Sequence, residues 1–148
     1  MNQRRPGAPA PRTKDLGPEA VAVNLACLAK QNTNYRTALW TGEHLQVTLM
    51  SIPVGSDIGL EKHDHLDQLL RIEEGCALLQ MGKSPDSLDS PQKLEQGWAV
   101  LVPACTWHNL MNGGNTPLKI SSIYAPPQHP FGTVHKTKRD SQRAEKKG

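Results

Sequence analysis

Three histidines and one glutamine are the residues of this sequence whose types and spacing point most directly to chemistry. His63 and His65 are separated by a single residue, Gln68 follows three positions later, and His108 stands far along the chain. On a strand, positions i and i+2 face the same side, so the spacing predicts that the two imidazoles of His63 and His65 project together. Two inward imidazoles suit a divalent ion such as Zn, Fe, Mn or Ni. Gln68 sits at an odd offset from His65, which a straight strand would aim elsewhere. A bend or bulge at Leu66 and Asp67 returns it to the same face, where its amide oxygen would serve as a neutral ligand. Asp64 and Asp67 flank the set, and either would add a negative charge if the bend turned it inward.

A second unit strengthens this reading. Gly97, five residues, Pro103, one residue, Cys105, two residues, His108, three residues and Asn112 form a strand–turn–strand pattern that starts a new strand at His108. If that strand packs across from His63 and His65, three imidazoles converge. Proton transfer would fall to Asp67, Glu74 or Cys105, although spacing fixes no pair among them. The sequence lacks the Gly-x-Ser-x-Gly elbow and the glycine-rich phosphate loops of other enzyme classes. Arg71 shares its alternation with Leu69 and Glu73, opposite Gln68, Leu70 and Ile72, and is expected to face outward. Trp107, beside His108, reads as core packing, with a place at the barrel mouth as the alternative. His44, His129 and His135 read as loop histidines exposed to solvent.

The elements that must position these residues are short. Runs rich in β-formers cover 35–40, 44–52, 61–65, 68–73, 76–81, 98–102, 108–112 and 118–124, broken by Gly, Pro, Asn and Asp. A further strand is expected to begin at 20–23. Asn24 is a natural N-cap for a short helix over 25–31. Residues 82–96 read as a polar connection. So many strands with so little helix predict a sandwich or barrel that hides most of its edges.

The segments Gly59–Gly75 (GLEKHDHLDQLLRIEEG) and Gly97–Asn112 (GWAVLVPACTWHNLMN) resemble the two conserved motifs of the cupin family, in the right order. The resemblance covers roughly residues 20–135. It implies a small single-domain cupin: an all-β double-stranded β-helix, a jelly-roll-like antiparallel barrel, often dimeric. It also implies a divalent metal held by His63, His65, Gln68 and His108. Two positions depart from the family pattern. Gln68 stands where the motif has Glu, which removes a charge from the ligand set. Cys105 stands where the motif has a turn glycine, which would strain the backbone if that turn needs positive φ. The function implied is that of a metal-dependent enzyme, dioxygenase- or isomerase-like, working on a small polar molecule inside the barrel. The alternative is a non-catalytic cupin that binds or senses a small ligand.

Composition divides the chain into a core and two ends. Residues 1–18 hold four of the 12 prolines and four basic side chains against one acid, and residues 131–148 hold six basic side chains against two acids. Neither end carries apolar periodicity, so residues 1–18 and 136–148 are expected to be flexible tails around a barrel domain at 19–135. The net charge of +3 therefore belongs to the ends, and nucleic acid is not an expected partner. Pro126 and Pro127 stiffen an exit segment for which Phe131, the single Phe, is the expected apolar anchor. Cys27, Cys76 and Cys105 are odd in number and widely spaced, which argues against a disulfide framework. With no secretory pattern and no long apolar run, the expectation is a cytoplasmic protein, and the resemblance implies a homodimer.

Overall fold

The computed structural model describes residues 14–147. Among these residues the chain forms two helices and nine strands. In chain order they are α1 (Leu25–Gln31), β1 (Arg36–Thr41), β2 (Gln46–Ile52), β3 (Asp67–Glu74), β4 (Ala77–Gly82), β5 (Gln92–Leu94), β6 (Ala99–Val102), β7 (Trp107–Asn112), β8 (Leu118–Ala125), β9 (Val134–His135) and α2 (Lys138–Lys147). All pairings are antiparallel and build a six-stranded sheet, β6-β3-β8-β2-β1-β9, and a three-stranded sheet, β5-β4-β7.

Alternation decides which side chains meet between the sheets. In β6, Val100 and Val102 are buried while Leu101 is 72% exposed, the period-2 pattern of a strand with one wet face. Val100 and Val102 join Leu70 and Ile72 from β3, Ile120 from β8, Leu79 from β4 and Leu110 from β7 in one core cluster. Both sheets feed that core, so they close on each other as the expected double-stranded β-helix.

The helix α1 forms where the sequence places it. Asn24 Oδ1 accepts from the Cys27 amide at 3.0 Å, and Ala29 packs with Leu39 and Leu49 in a second cluster outside the barrel core. On that same outer side Glu73 is buried, its carboxylate accepting from Ser121 Oγ at 2.6 Å. Arg71 is exposed, as its alternation predicts.

Four expectations change. Residues 20–23 have no partner strand, and residues 61–65 contribute a single bridge at Glu61 rather than a strand. The polar connection at 82–96 contains β5, which edges the smaller sheet.

The fourth concerns the ends. The tail expected from 136 onward is helical as α2, and it is tied to the barrel by polar contacts that carry no hydrophobic signature. Arg36 Nη1 donates to the buried Ser141 Oγ at 2.5 Å, and Lys138 pairs with Asp57. Residues 14–18 are likewise held: Asp15 accepts from the Thr41 amide (2.9 Å) and the Gly132 amide (2.9 Å). The remaining residues of the expected N-terminal tail, 1–13, lie outside the described residues. Phe131, the expected anchor of the exit segment, is 61% exposed. Gln46 anchors that segment instead, donating to the His129 carbonyl at 2.8 Å and accepting from its amide at 2.9 Å. From there β9 pairs with β1, placing His135 opposite Arg36.

Truncation after Lys136 should therefore destabilise the protein. It leaves the buried Arg36 without Ser141 and Asp57 without Lys138, and a buried donor left unmet costs about 1–3 kcal/mol. The measurement is the urea midpoint of both forms. Burial raises the Asp57 carboxyl, but Lys138, Asn109 and the Gly59 backbone outweigh it and hold the group below its usual range. A depressed carboxyl stabilises above its unfolded pKa, about 4, and the contribution fades as pH falls through the folded value. The midpoints of the two forms should thus draw closer in acid.

Candidate metal centre

The site is built where an irregular segment is stitched to β7. The Glu61 amide donates to the His108 carbonyl at 3.0 Å and the His108 amide donates back to Glu61 at 2.9 Å. This reciprocal pair sets Glu61 directly beside His108. Two residues on, the His63 carbonyl accepts from the Cys105 amide at 2.7 Å, clamping the segment to the turn before β7. The chain then bends at Asp64 and His65.

One ligand atom each from Glu61, His63 and His108 lie within 4.8 Å of one another. His108 Nε2 and His63 Nε2 each stand 3.3 Å from Glu61 Oε1. Gln68, buried in β3, presents Oε1 3.1 Å from His108 Nε2 and donates from Nε2 to Ser122 Oγ at 2.9 Å. The structure thus brings His63, His108 and Gln68 together and leaves His65 exposed on the bend. The two-residue spacing expected to join His63 to His65 joins it to Glu61 instead, because residues 62–66 are not a strand. Asp64 is exposed and pairs with Lys62 at 3.1 Å, while Asp67 caps the following turn by accepting from the Ala104 amide at 3.0 Å. Neither turns toward the histidines.

The donor set fits a cation. His108 Nδ1 lies 3.0 Å from the Thr106 carbonyl, which can only accept, so Nδ1 carries a proton. In neutral His108 the lone pair at Nε2 then faces the Glu61 carboxylate and the Gln68 oxygen. Three acceptors converge, and a proton or a metal ion is needed between them. His63 Nε2 is also buried without a hydrogen-bond partner. Burial pushes the Glu61 carboxyl up, but when the His108 and His63 imidazoles carry a proton toward it, their hydrogen bonds and charge outweigh burial and hold the group at about 2.

Glu61 and His63 open onto a cavity of about 850 Å³. Its far wall carries His129 and His135, read from sequence as exposed loop residues, and α2 closes one side through Ser141 and Gln142. Tyr124 connects the two walls, its ring edge-on to His63 at 5.8 Å and to His129 at 5.2 Å between centroids. Glu61 is the site residue that the sequence reading missed, and the signal for it was the same alternation followed backward from His63.

The model of the cupin domain matches residues 48–124. The chain belongs to the cupin family. The protein YrkC of Bacillus subtilis is 58% identical over 132 residues, covering 89% of this chain and 71% of that protein. The crystal structure of BH2720 from Bacillus halodurans superposes with a TM-score of 0.86 at 57% identity, covering 88% of this chain and 98% of that one. The oxalate decarboxylase of Bacillus subtilis, described for its Mn(II) centres, shares the fold at a TM-score of 0.54 and 18% identity, covering 60% of this chain and 23% of that one.

Cys105, the departure from the cupin turn glycine, has φ +66° and is exposed. The motif's preference for glycine is thus a backbone requirement, and a side chain here sits in the left-handed region at a cost. Cys105→Gly should raise stability by about 0.5–1 kcal/mol, the left-handed cost less the extra entropy of glycine in the unfolded chain. Denaturant unfolding of the two proteins under reducing conditions measures it.

Proposed function

We propose that this cupin is a metal-dependent enzyme, dioxygenase- or isomerase-like, that acts on a small polar molecule inside the barrel. The observation that carries the reading is the convergence of Glu61, His63 and His108 beside a cavity large enough for such a molecule. Glu61, His63 and His108 would hold a divalent ion, with Gln68 next to them. Two imidazoles and a carboxylate suit Zn, Fe, Mn or Ni. Glu61 restores the negative charge that Gln68 withholds from the ligand set. When bound, the ion would supply Lewis acidity toward a substrate oxygen.

The remaining work belongs to the chain's own side chains. Ser122 fixes the Gln68 amide, and Thr106 fixes the His108 ring, so two of the convergent groups are oriented before any ligand arrives. The cavity walls and α2 limit water around the bound molecule.

Metal analysis of protein purified without an affinity tag is the first test, followed by turnover assays with small acids, thiols and sugars. Stoichiometric metal with turnover supports the enzyme. Metal without turnover would make the protein a binding module, and absence of affinity at millimolar metal would overturn the reading.

Two variants sharpen it. His108→Ala should weaken metal binding at least about tenfold, whereas His65→Ala should change it little. Gln68→Glu should tighten metal binding, because the ion neutralises two adjacent carboxylates. It should also lower the stability of the metal-free form, where Glu61 and the new carboxylate repel each other. Calorimetric metal titration and thermal melts with and without chelator separate the two effects.

A further inference from the structure

Behind His135 in the wall of the cavity lies a charge that the metal centre does not use. Arg36 is 4% exposed, and its partners are neutral: the His135 imidazole at 3.1 Å, Ser141 Oγ at 2.5 Å, the Tyr124 phenol beside it and the Tyr35 ring beneath it. Its Nε is buried without a hydrogen-bond partner. Among the described residues Arg36 forms no ion pair. Asp140 and Glu145, the acids of α2, make no ion pair with it, although Glu145 lines the same cavity, and Asp57 is taken by Lys138. A buried charge with neutral partners is costly unless a counter-ion completes it.

The geometry passes that charge toward the cavity. A guanidinium can only donate, so His135 Nδ1 accepts from Arg36 and the His135 proton sits on Nε2. That N–H has no protein partner among the described residues, and His135 lines the cavity. His129 lines it too, its backbone fixed by Gln46 and its ring nitrogens without hydrogen bonds among the described residues. Its ring stands 6.4 Å from that of His135.

We propose that this wall is a binding subsite for the carboxylate of a small organic acid, with His135 Nε2–H and His129 taking the anionic oxygens and the charge of Arg36 behind them. Burial, and next the nearby Arg36, hold His129 at about 3 and His135 below its ordinary value, so both rings are neutral hydrogen-bonding groups at physiological pH. A single buried positive charge matches a monoanionic head. Phosphate would need a second positive charge, and the lysines at the cavity are engaged, Lys138 with Asp57 and Lys62 with Asp64. The subsite deepens the proposed function by naming a substrate class and rests on that reading for which end of the molecule reacts. Occupancy of the wall itself requires no metal.

The experiment uses full-length protein stripped of metal with chelator. Acetate, succinate, inorganic phosphate and glycerol are titrated while the ¹⁵N resonances of the histidine rings are followed. Acetate and succinate should bind and shift the His135 ring, and phosphate and glycerol should bind more weakly. His135→Leu should weaken succinate binding at least about tenfold. His135→Gln keeps a donor at similar reach and should retain most of the affinity, and thermal melts establish that both variants are folded.

Equal succinate affinity in His135→Leu would overturn the proposal, as would tighter binding of phosphate. Failure of either carboxylate to bind at concentrations on the order of 10 mM would overturn it as well. Metal affinity measured in parallel keeps the two readings apart. Carboxylate binding without metal affinity would overturn the metal-dependent enzyme alone, and metal affinity without carboxylate binding would overturn this subsite alone.

Discussion

Two backbone hydrogen bonds, one in each direction between Glu61 and His108, make the site possible. They add an irregular stretch of chain to the edge of β7, and the pairing forces the two side chains to neighbouring positions. Without it Glu61 would belong to a solvent loop, and His108 would face Gln68 alone. The clamp from Cys105 to the His63 carbonyl completes the arrangement from the other side of the turn. Because backbone rather than side-chain contacts hold this segment, the imidazoles and the carboxylate remain available for a cation.

The same clamp accounts for the strain at Cys105. Its amide must point at His63, and the turn achieves that with φ +66°. A glycine would adopt this conformation at little cost. Here a side chain occupies it, exposed, its sulfur 3.8 Å from the Asp64 carbonyl. The strain therefore sits in the turn that holds His63 in place, and the stability of that turn and the position of the ligand are linked.

Much of the barrel was legible in the sequence because alternation survives wherever a strand has one wet face. β6 shows this with Val100 and Val102 inside and Leu101 outside, and α1 shows it through Asn24 as a cap. Within the site, His63, His108 and Gln68 were legible from motif spacing. Glu61 and His65 exchanged places because the period-2 rule holds only on a strand, and residues 62–66 bend. The helix α2 was not legible for a different reason. Its attachments are Arg36 to Ser141 and Lys138 to Asp57, single polar contacts at long range in sequence. Such contacts leave no periodic trace, so a strongly charged segment looks unstructured even when it is docked. His129 and His135 were hidden for the same reason, since Gln46 and Arg36 fix them from distant strands.

The two ends of the cavity are electrostatically opposite. At one end an ionised Glu61 and the lone pairs of His108 and Gln68 converge on a place that accepts a proton or a cation. At the other, a buried guanidinium with neutral partners favours an anion. Tyr124 lies between them, fully buried, its hydroxyl shifted upward by that burial and so kept protonated. It stands beside Ser122, which holds Gln68, and beside Arg36, which orients His135. The Tyr124 ring touches His63 at the cation end and His129 at the anion end. A molecule with a carboxylate at one side and a reactive oxygen at the other would complement both ends at once, whereas a neutral molecule would leave the Arg36 charge uncompensated. The proposed preference for a small acid rests in this sense on charges on β1 and on the segment before β3, outside the histidines that first draw attention in the sequence.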